Sequence, residues 1–199
     1  MNDLGTTTSQ PSRRPAGRRL DTAGQRVNGL VVRLRTAPDE VKGRMGRRVD
    51  ALRAQEAELR TRLRALRGAD QAAEVAELGP ALDQLEDELD IAEAELDAEL
   101  AGDEEAYAAA VTTELEAWDR RLDRLEARTA ATGQPAGATA IRLVRERRAD
   151  AGRQLARFRT AGSGASAALR AGMRQAIEDL DWAAQEAAAT FDTPRRSRP

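Results

Sequence analysis

The sequence predicts an all-α protein built from antiparallel helical hairpins or a coiled-coil bundle, with disordered basic tails. Three observations predict this class. Ala, Leu, Glu and Arg dominate the 199 residues, and 33% of the chain is charged, which is typical of long helices. β-Branched residues are scarce and only 3% of the chain is aromatic, which disfavours a sheet. Apolar residues recur at spacings of three and four, which places them on one helix face.

The N-terminal third is predicted to contain a tail and two helices. Residues 1–19 are rich in Thr, Ser, Gln, Pro, Gly and Arg, so we expect a disordered basic tail. Residues 20–36 predict a weaker helix, because two glycines lower its helix propensity. A stronger helix over 39–67 opens after Pro38. Its apolar residues that recur every seven positions are Met45, Leu52, Leu59 and Leu66.

Further helices follow, and glycine or proline separates them. A short helix over 70–78 is expected to be interrupted at Gly79-Pro80, because proline lacks a backbone N–H donor. The helices predicted beyond it cover 80–101, 103–131, 138–161 and 165–191. The sequence therefore predicts a first hairpin region over 20–102. A second hairpin with a terminal amphipathic helix covers 103–192, and a basic tail covers 193–199.

The net charge of −2 hides a segregated layout. Residues 1–70 carry a net charge of +8, residues 71–119 carry −17 without a single basic side chain, and residues 120–199 carry +7. Opposite charges on neighbouring helices help to select the partner, so we predict that helix 39–67 packs antiparallel to helix 80–101. Such pairing leaves fewer arginines available to bind phosphate groups.

The composition excludes several kinds of catalytic chemistry. His and Cys are absent, so disulfides, His–Cys zinc sites and Ser–His–Asp triads are impossible. The acidic residues between Glu86 and Asp97 offer many oxygens, but the His of a di-iron bundle and the loop of a calcium site are missing. We therefore predict no enzyme activity, no catalytic, cofactor-binding or metal-binding residue, no cofactor and no small-molecule substrate.

Two charged residues occupy positions where the apolar pattern expects a hydrophobic side chain. These are Glu56 in helix 39–67 and Arg148 in helix 138–161. A charged residue there costs stability but can fix a helix register or a partner, unless its charged end reaches solvent. We hypothesise that the two residues pair with each other, within the chain or across a dimer.

Residues 104–191 carry a less generic order of residues. The segment opens with Tyr107, Val111, Leu115, Trp118, Leu122 and Leu125. A basic cluster follows at Arg145, Arg147 and Arg148, then a Gly/Ser break at 162–164. The segment continues with Leu169-Arg170-Ala171-Gly172-Met173 and closes at Phe191.

This order resembles a family of small bacterial coiled-coil proteins labelled as stress-response or apolipoprotein-like. The resemblance implies a non-enzymatic coiled-coil protein that is linked to stress physiology and carries no known catalytic residue. The family often has Trp at the positions of Ser166 and Ile177, whereas this chain has Trp182. Residues 1–103 lie outside the match and are either an addition or a diverged copy.

The expected function is that of a cytoplasmic, non-catalytic scaffold or interaction protein that self-associates through a charged helical surface. No apolar run approaches the roughly 20 residues of a membrane span, and no apolar segment follows the N-terminal arginine pairs. The alternative is a peripheral membrane or lipid binder that uses helix 165–191, although its apolar face could instead pack on the other helices. Non-specific nucleic-acid binding ranks third, because no recognised DNA-binding motif is present.

Overall fold

A computed structural model describes residues 13–66, 71–132, 135–162 and 167–192. These residues form six helices and contain no β-strand, which confirms the all-α class. The helices are α1 (Arg13–Thr36), α2 (Asp39–Ala65), α3 (Gln71–Glu99), α4 (Glu104–Thr132), α5 (Pro135–Ala161) and α6 (Ala167–Asp192). The chain divides into two compact units, Met1–Leu89 (unit 1) and Asp90–Pro199 (unit 2).

The first helix begins earlier than the sequence predicts. α1 starts at Arg13, so the prediction of a disordered tail over residues 1–19 is wrong from Arg13 onward. The physical reason is apolar spacing, because Ala16, Leu20 and Ala23 are all buried on one helix face. Residues 1–12 and the predicted tail at 193–199 lie outside the described residues.

Unit 1 contains α1, α2 and the part of α3 that ends at Leu89. α1 packs against α2. The most deeply buried side chains of this unit are Leu20, Leu30, Met45, Leu52, Leu85 and Leu89. Burial of each such side chain stabilises the fold by about 1.5–3 kcal/mol. The predicted pairing of helix 39–67 with helix 80–101 involves residues of both units and stays a prediction.

The predicted interruption at Gly79-Pro80 is wrong. α3 runs continuously from Gln71 to Glu99 and contains Pro80 in its interior. Leu78 and Leu82, on either side of the proline, are both buried, with 2% of each side chain exposed. A proline in a helix interior costs about 3 kcal/mol. Burial of two leucines offsets that cost, so packing determines the local structure here.

Unit 2 is organised around α5, which packs against α4 on one side and against α6 on the other. Its core is a single cluster whose largest fully buried side chains include Trp118, Phe158, Leu122 and Met173. Buried alanines on α6, such as Ala183 and Ala184, allow close approach of neighbouring helices. The predicted apolar face of α6 therefore packs within this unit.

The ends of α4 and α5 have well-defined local causes. The backbone N–H of Ala106 donates to Asp103 Oδ1 at 2.7 Å, so Asp103 caps the N-terminus of α4. Gly162 follows the end of α5 with a φ of 52°, a left-handed conformation that glycine adopts without steric cost. Both residues also line a cleft in the surface of unit 2.

Candidate interaction surface

An arginine that the sequence assigned to a tail forms the main polar contact between α1 and α3 in unit 1. Arg19 donates to Glu86 through Nε and Nη2, both at 2.8 Å, and through Nη2 to Asp83 at 2.5 Å. The hydrogen bond to Glu86 is the largest cause that raises the pKa of Arg19. Two oxygens of one carboxylate accept from one guanidinium, a geometry that fixes orientation as well as adding energy.

Replacement of Arg19 by alanine is expected to lower the free energy of unfolding by about 1 kcal/mol, because its side chain is 35% exposed and solvent screens the ion pairs. Urea denaturation followed by circular dichroism measures this change. The matched control is Arg18→Ala on the same helix, because Arg18 is exposed and we expect little effect. Equal effects of the two substitutions argue against a structural role for the Arg19 contacts.

The two charged residues at apolar positions are paired, but with other partners than predicted. Glu56 accepts from Arg60 Nε at 2.6 Å, and Arg60 also approaches Asp21 of α1 at 3.4 Å. Arg148 of α5 pairs with Asp119 of α4. Each charge therefore has a partner within its own unit, and a Glu56–Arg148 pair stays a hypothesis.

Unit 2 also joins its helices through arginine–carboxylate pairs. Arg145 of α5 donates to Asp123 at 2.8 Å and to Glu126, both on α4. The hydrogen bond from Arg145 holds the pKa of Glu126 below its usual value, and the same contact raises the pKa of Arg145. Arg174 of α6 lies 3.4 Å from Glu99 at the end of α3. Arginine therefore neutralises carboxylates inside each unit, as the charge layout suggested.

Tyr107, the only tyrosine of the chain, is enclosed near the start of α4. Its ring centroid lies 5.0 Å from that of Phe158, and the Arg170 guanidinium lies 4.9 Å from the Tyr107 ring centroid. Burial raises the pKa of the Tyr107 hydroxyl, and the charge of Arg174 opposes this rise. The folded unit therefore favours the neutral phenol of Tyr107 over the charged phenolate.

The buried tyrosine predicts how stability changes at alkaline pH. The pKa of Tyr107 in the folded state lies above the ordinary value of 10.0. The stabilisation that the neutral Tyr107 gives to the folded state is therefore fully present below pH 10.0 and is lost as the pH rises through the folded pKa. Phenolate absorbance of the native protein is expected to titrate at higher pH than that of the urea-unfolded chain. Tyr107→Phe removes the signal and serves as the control. Coincident titrations of the two states contradict the burial.

Each unit has a cleft in its surface. The first, of about 650 Å³ in unit 2, has an apolar floor that includes Phe158 and Ala108, and a charged rim. The rim residues are Asp103, Glu104, Glu105 and Arg159. Asp103 caps α4, and Glu104 and Glu105 lie in its first turn, where carboxylates stabilise the helix dipole. These acids therefore have a structural explanation.

The second cleft lies in unit 1, between the end of α1 and the start of α2, and has a volume of about 400 Å³. Val31, Leu34 and Val49 form its apolar lining, and basic side chains surround them. One of these, Lys42, donates to Asp39 at 3.0 Å in the first turns of α2. Among the residues that the structure describes, no group of three or more acidic side chains could hold a metal ion.

Within unit 2, α5 and α6 differ in their exposed charge, and α6 carries an exposed tryptophan. The exposed arginines of α5 are Arg142, Arg147, Arg153, Arg157 and Arg159. The exposed carboxylates of α6 are Glu178, Asp179 and Glu186. Trp182 on α6 is 61% exposed and Leu143 on α5 is 38% exposed. The sequence pattern set Trp182 apart only because the resembling family has tryptophan at other positions.

Comparison with known proteins finds no matching family model, no matching curated protein and no matching solved structure. The resemblance of residues 104–191 to the small coiled-coil family therefore stays a hypothesis. No described helix is long and apolar enough to cross a membrane.

Proposed function

We propose that this chain is a non-catalytic, helical scaffold or interaction protein that acts in the cytoplasm and binds proteins, including further copies of itself. The observation that carries this proposal is the difference in exposed charge between α5 and α6. α5 exposes five arginines and one glutamate, whereas the exposed charged side chains described on α6 are all acidic. Long, rigid helices that display opposite charges can select a partner by electrostatic complementarity.

Two further considerations support the proposal. The acidic side chains around the cleft of unit 2 lie at the N-terminus of α4, where Asp103 caps the helix and the other two stabilise its dipole. The resemblance of residues 104–191 to stress-response coiled-coil proteins suggests a role in stress physiology. Both considerations favour a binding function over an enzymatic one.

The test is the mass of the purified full chain in solution. Light scattering over a range of protein concentrations is expected to show an oligomer in low salt and a smaller species in high salt, because salt screens exposed charges. A monomeric mass at every concentration and salt level contradicts self-association. A mass that does not depend on salt contradicts the role of the charged surface.

Binding to a lipid surface is the second candidate, and the exposure of Trp182 favours it. Tryptophan is common at membrane interfaces, but an interfacial helix usually carries basic residues, whereas the second half of α6 is acidic. Flotation with anionic vesicles in low and high salt tests this function. The appropriate variant is Trp182→Ala rather than deletion of 165–191, because α6 forms part of the core of unit 2.

A further inference from the structure

Two exposed apolar side chains lie at neighbouring levels along the α5–α6 pair. α5 and α6 are consecutive, closely packed helices that run antiparallel, so the first half of α5 lies beside the second half of α6. Leu143 is in the first half of α5 and Trp182 is just past the middle of α6. They are 38% and 61% exposed, and they are therefore two apolar contacts that a partner could cover together.

The solvent-facing side of α6 has the spacing of a helix-packing surface. Ala171, Gln175, Glu178, Trp182 and Gln185, here named the outward stripe, are all exposed and are separated by four, three, four and three residues. Four of the five are uncharged in a chain of which 33% is charged. A stripe of this spacing stays on one face over several turns, which is what a partner helix requires.

The charges on the two helices are complementary if a second copy binds in a particular orientation. On α5, Arg142 and Arg147 flank Leu143; the exposed Glu146 lies between them, and Arg147 approaches Asp150 of its own helix at 3.8 Å. On α6, Glu178 and Glu186 flank Trp182. Arg142, Glu178 and Glu186 have no ion-pair partner among the residues that the structure describes. A two-fold axis parallel to the helices places α6 of one copy on α5 of the other, with the helices antiparallel. Trp182 then lies opposite Leu143 and Glu178 opposite Arg147, and Glu186 lies within side-chain reach of Arg142.

We propose that the outward stripe of α6, together with the exposed side of α5 around Leu143, binds the same surface of a second copy of this chain. Trp182 of each copy packs on the partner's Leu143, and Glu178 and Glu186 face the partner's Arg147 and Arg142. The interface is isologous, because each contact occurs twice. This inference rests on the self-association in the proposed function and specifies its surface.

The available area is sufficient for a stable dimer. α5 has 27 residues and α6 has 26, so each helix is about 40 Å long. With helix axes about 10 Å apart, a two-helix face is about 20 Å wide and offers about 800 Å² per copy, the size of a standard protein interface. Trp182 is of a residue type often found to dominate binding energy.

The two tryptophans make the test direct, because Trp118 is 1% exposed and Trp182 is 61% exposed. As the full chain is concentrated from about 1 µM to about 1 mM in low salt, we expect the mass from sedimentation equilibrium to double. In step with this change, we expect the emission of Trp182 to shift to shorter wavelength and its quenching by acrylamide to fall. Trp182→Phe gives the emission of Trp118 alone.

Substitutions test whether this surface carries the dimer. Trp182→Glu is expected to weaken association at least tenfold. Val32→Glu is the matched control, because Val32 is 60% exposed but lies on α1 of unit 1. Circular dichroism and the emission of Trp118 verify that both variants fold.

A mixing experiment separates contacts between copies from contacts within one chain. One variant carries Glu178→Arg and Glu186→Arg, and the other carries Arg142→Glu and Arg147→Glu. At these four positions each variant alone presents one sign of charge and is expected to be monomeric, whereas an equimolar mixture is expected to form a dimer. Failure of the mixture to associate overturns the proposed orientation.

The remaining outcomes are distinguishable. A dimer in which Trp182 stays fully quenchable, or which Trp182→Glu leaves intact, overturns this surface while self-association stands. A chain that is monomeric throughout overturns both the surface and the self-association. A shift of Trp182 emission with anionic vesicles, but not with protein concentration, assigns the surface to lipid and also overturns the proposal.

Discussion

Replacement of Phe158 by alanine is expected to lower the free energy of unfolding of unit 2 by about 3–5 kcal/mol. The Phe158 side chain is 1% exposed and packs against the ring of Tyr107. It lies on α5, and Tyr107 lies on α4, so the substitution opens a cavity between these two helices. The loss is a large fraction of the stability of an ordinary domain. Urea denaturation followed by circular dichroism measures it.

The control for this prediction is Leu143→Ala on the same helix. Leu143 is 38% exposed, so we expect a change of less than about 0.5 kcal/mol. Phe158→Leu keeps most of the buried volume and is expected to give an intermediate loss. If Phe158→Ala costs no more than Leu143→Ala, α5 does not pack on α4 as described.

Replacement of Pro80 by alanine is expected to stabilise unit 1 by about 2 kcal/mol. Pro80 lies inside α3 and is exposed, so its removal restores a helical hydrogen bond without disturbing the core. The helix gains about 3 kcal/mol, and the greater freedom of the unfolded chain offsets about 1 kcal/mol of that gain. A higher midpoint of urea denaturation is the expected readout.

Gly79→Ala is the matched control at the neighbouring position. A Cβ atom there meets nothing within 4 Å, so we expect the usual gain for a glycine in a helix, about 0.5–1 kcal/mol. A loss of stability on Pro80→Ala, together with a gain on Gly79→Ala, shows that the proline itself is required and contradicts the prediction.

Apolar spacing was sufficient to predict most of the helices. It did not predict that the chain is helical at the two places where local composition suggested disorder or an interruption. At the N-terminus, Arg, Pro and Gly suggested disorder, yet Ala16 and Leu20 are buried and Arg19 is held by Glu86 and Asp83. The apolar pattern of α1 continues to Ala16, but alanine is small and gives a weak signal of a buried helix face.

The interaction surface was less predictable than the fold, because exposure depends on which side of each helix is covered. Trp182 follows the buried Leu180 by two residues. Two residues correspond to more than half a turn of a helix, so the Trp182 side chain points away from the buried face. That spacing was the available signal for an exposed tryptophan. The partners of Glu56 and Arg148 could not be predicted, since several carboxylates and arginines lie within reach along each helix.

Lys42 gives the molecule a practical property. It is the only lysine in the chain, its side chain is 42% exposed, and its contact with Asp39 keeps it beside the cleft between α1 and α2. Reagents that acylate side-chain amines therefore have one target, at a known place in unit 1. A dye or cross-linker attached there leaves the α5 and α6 side chains untouched.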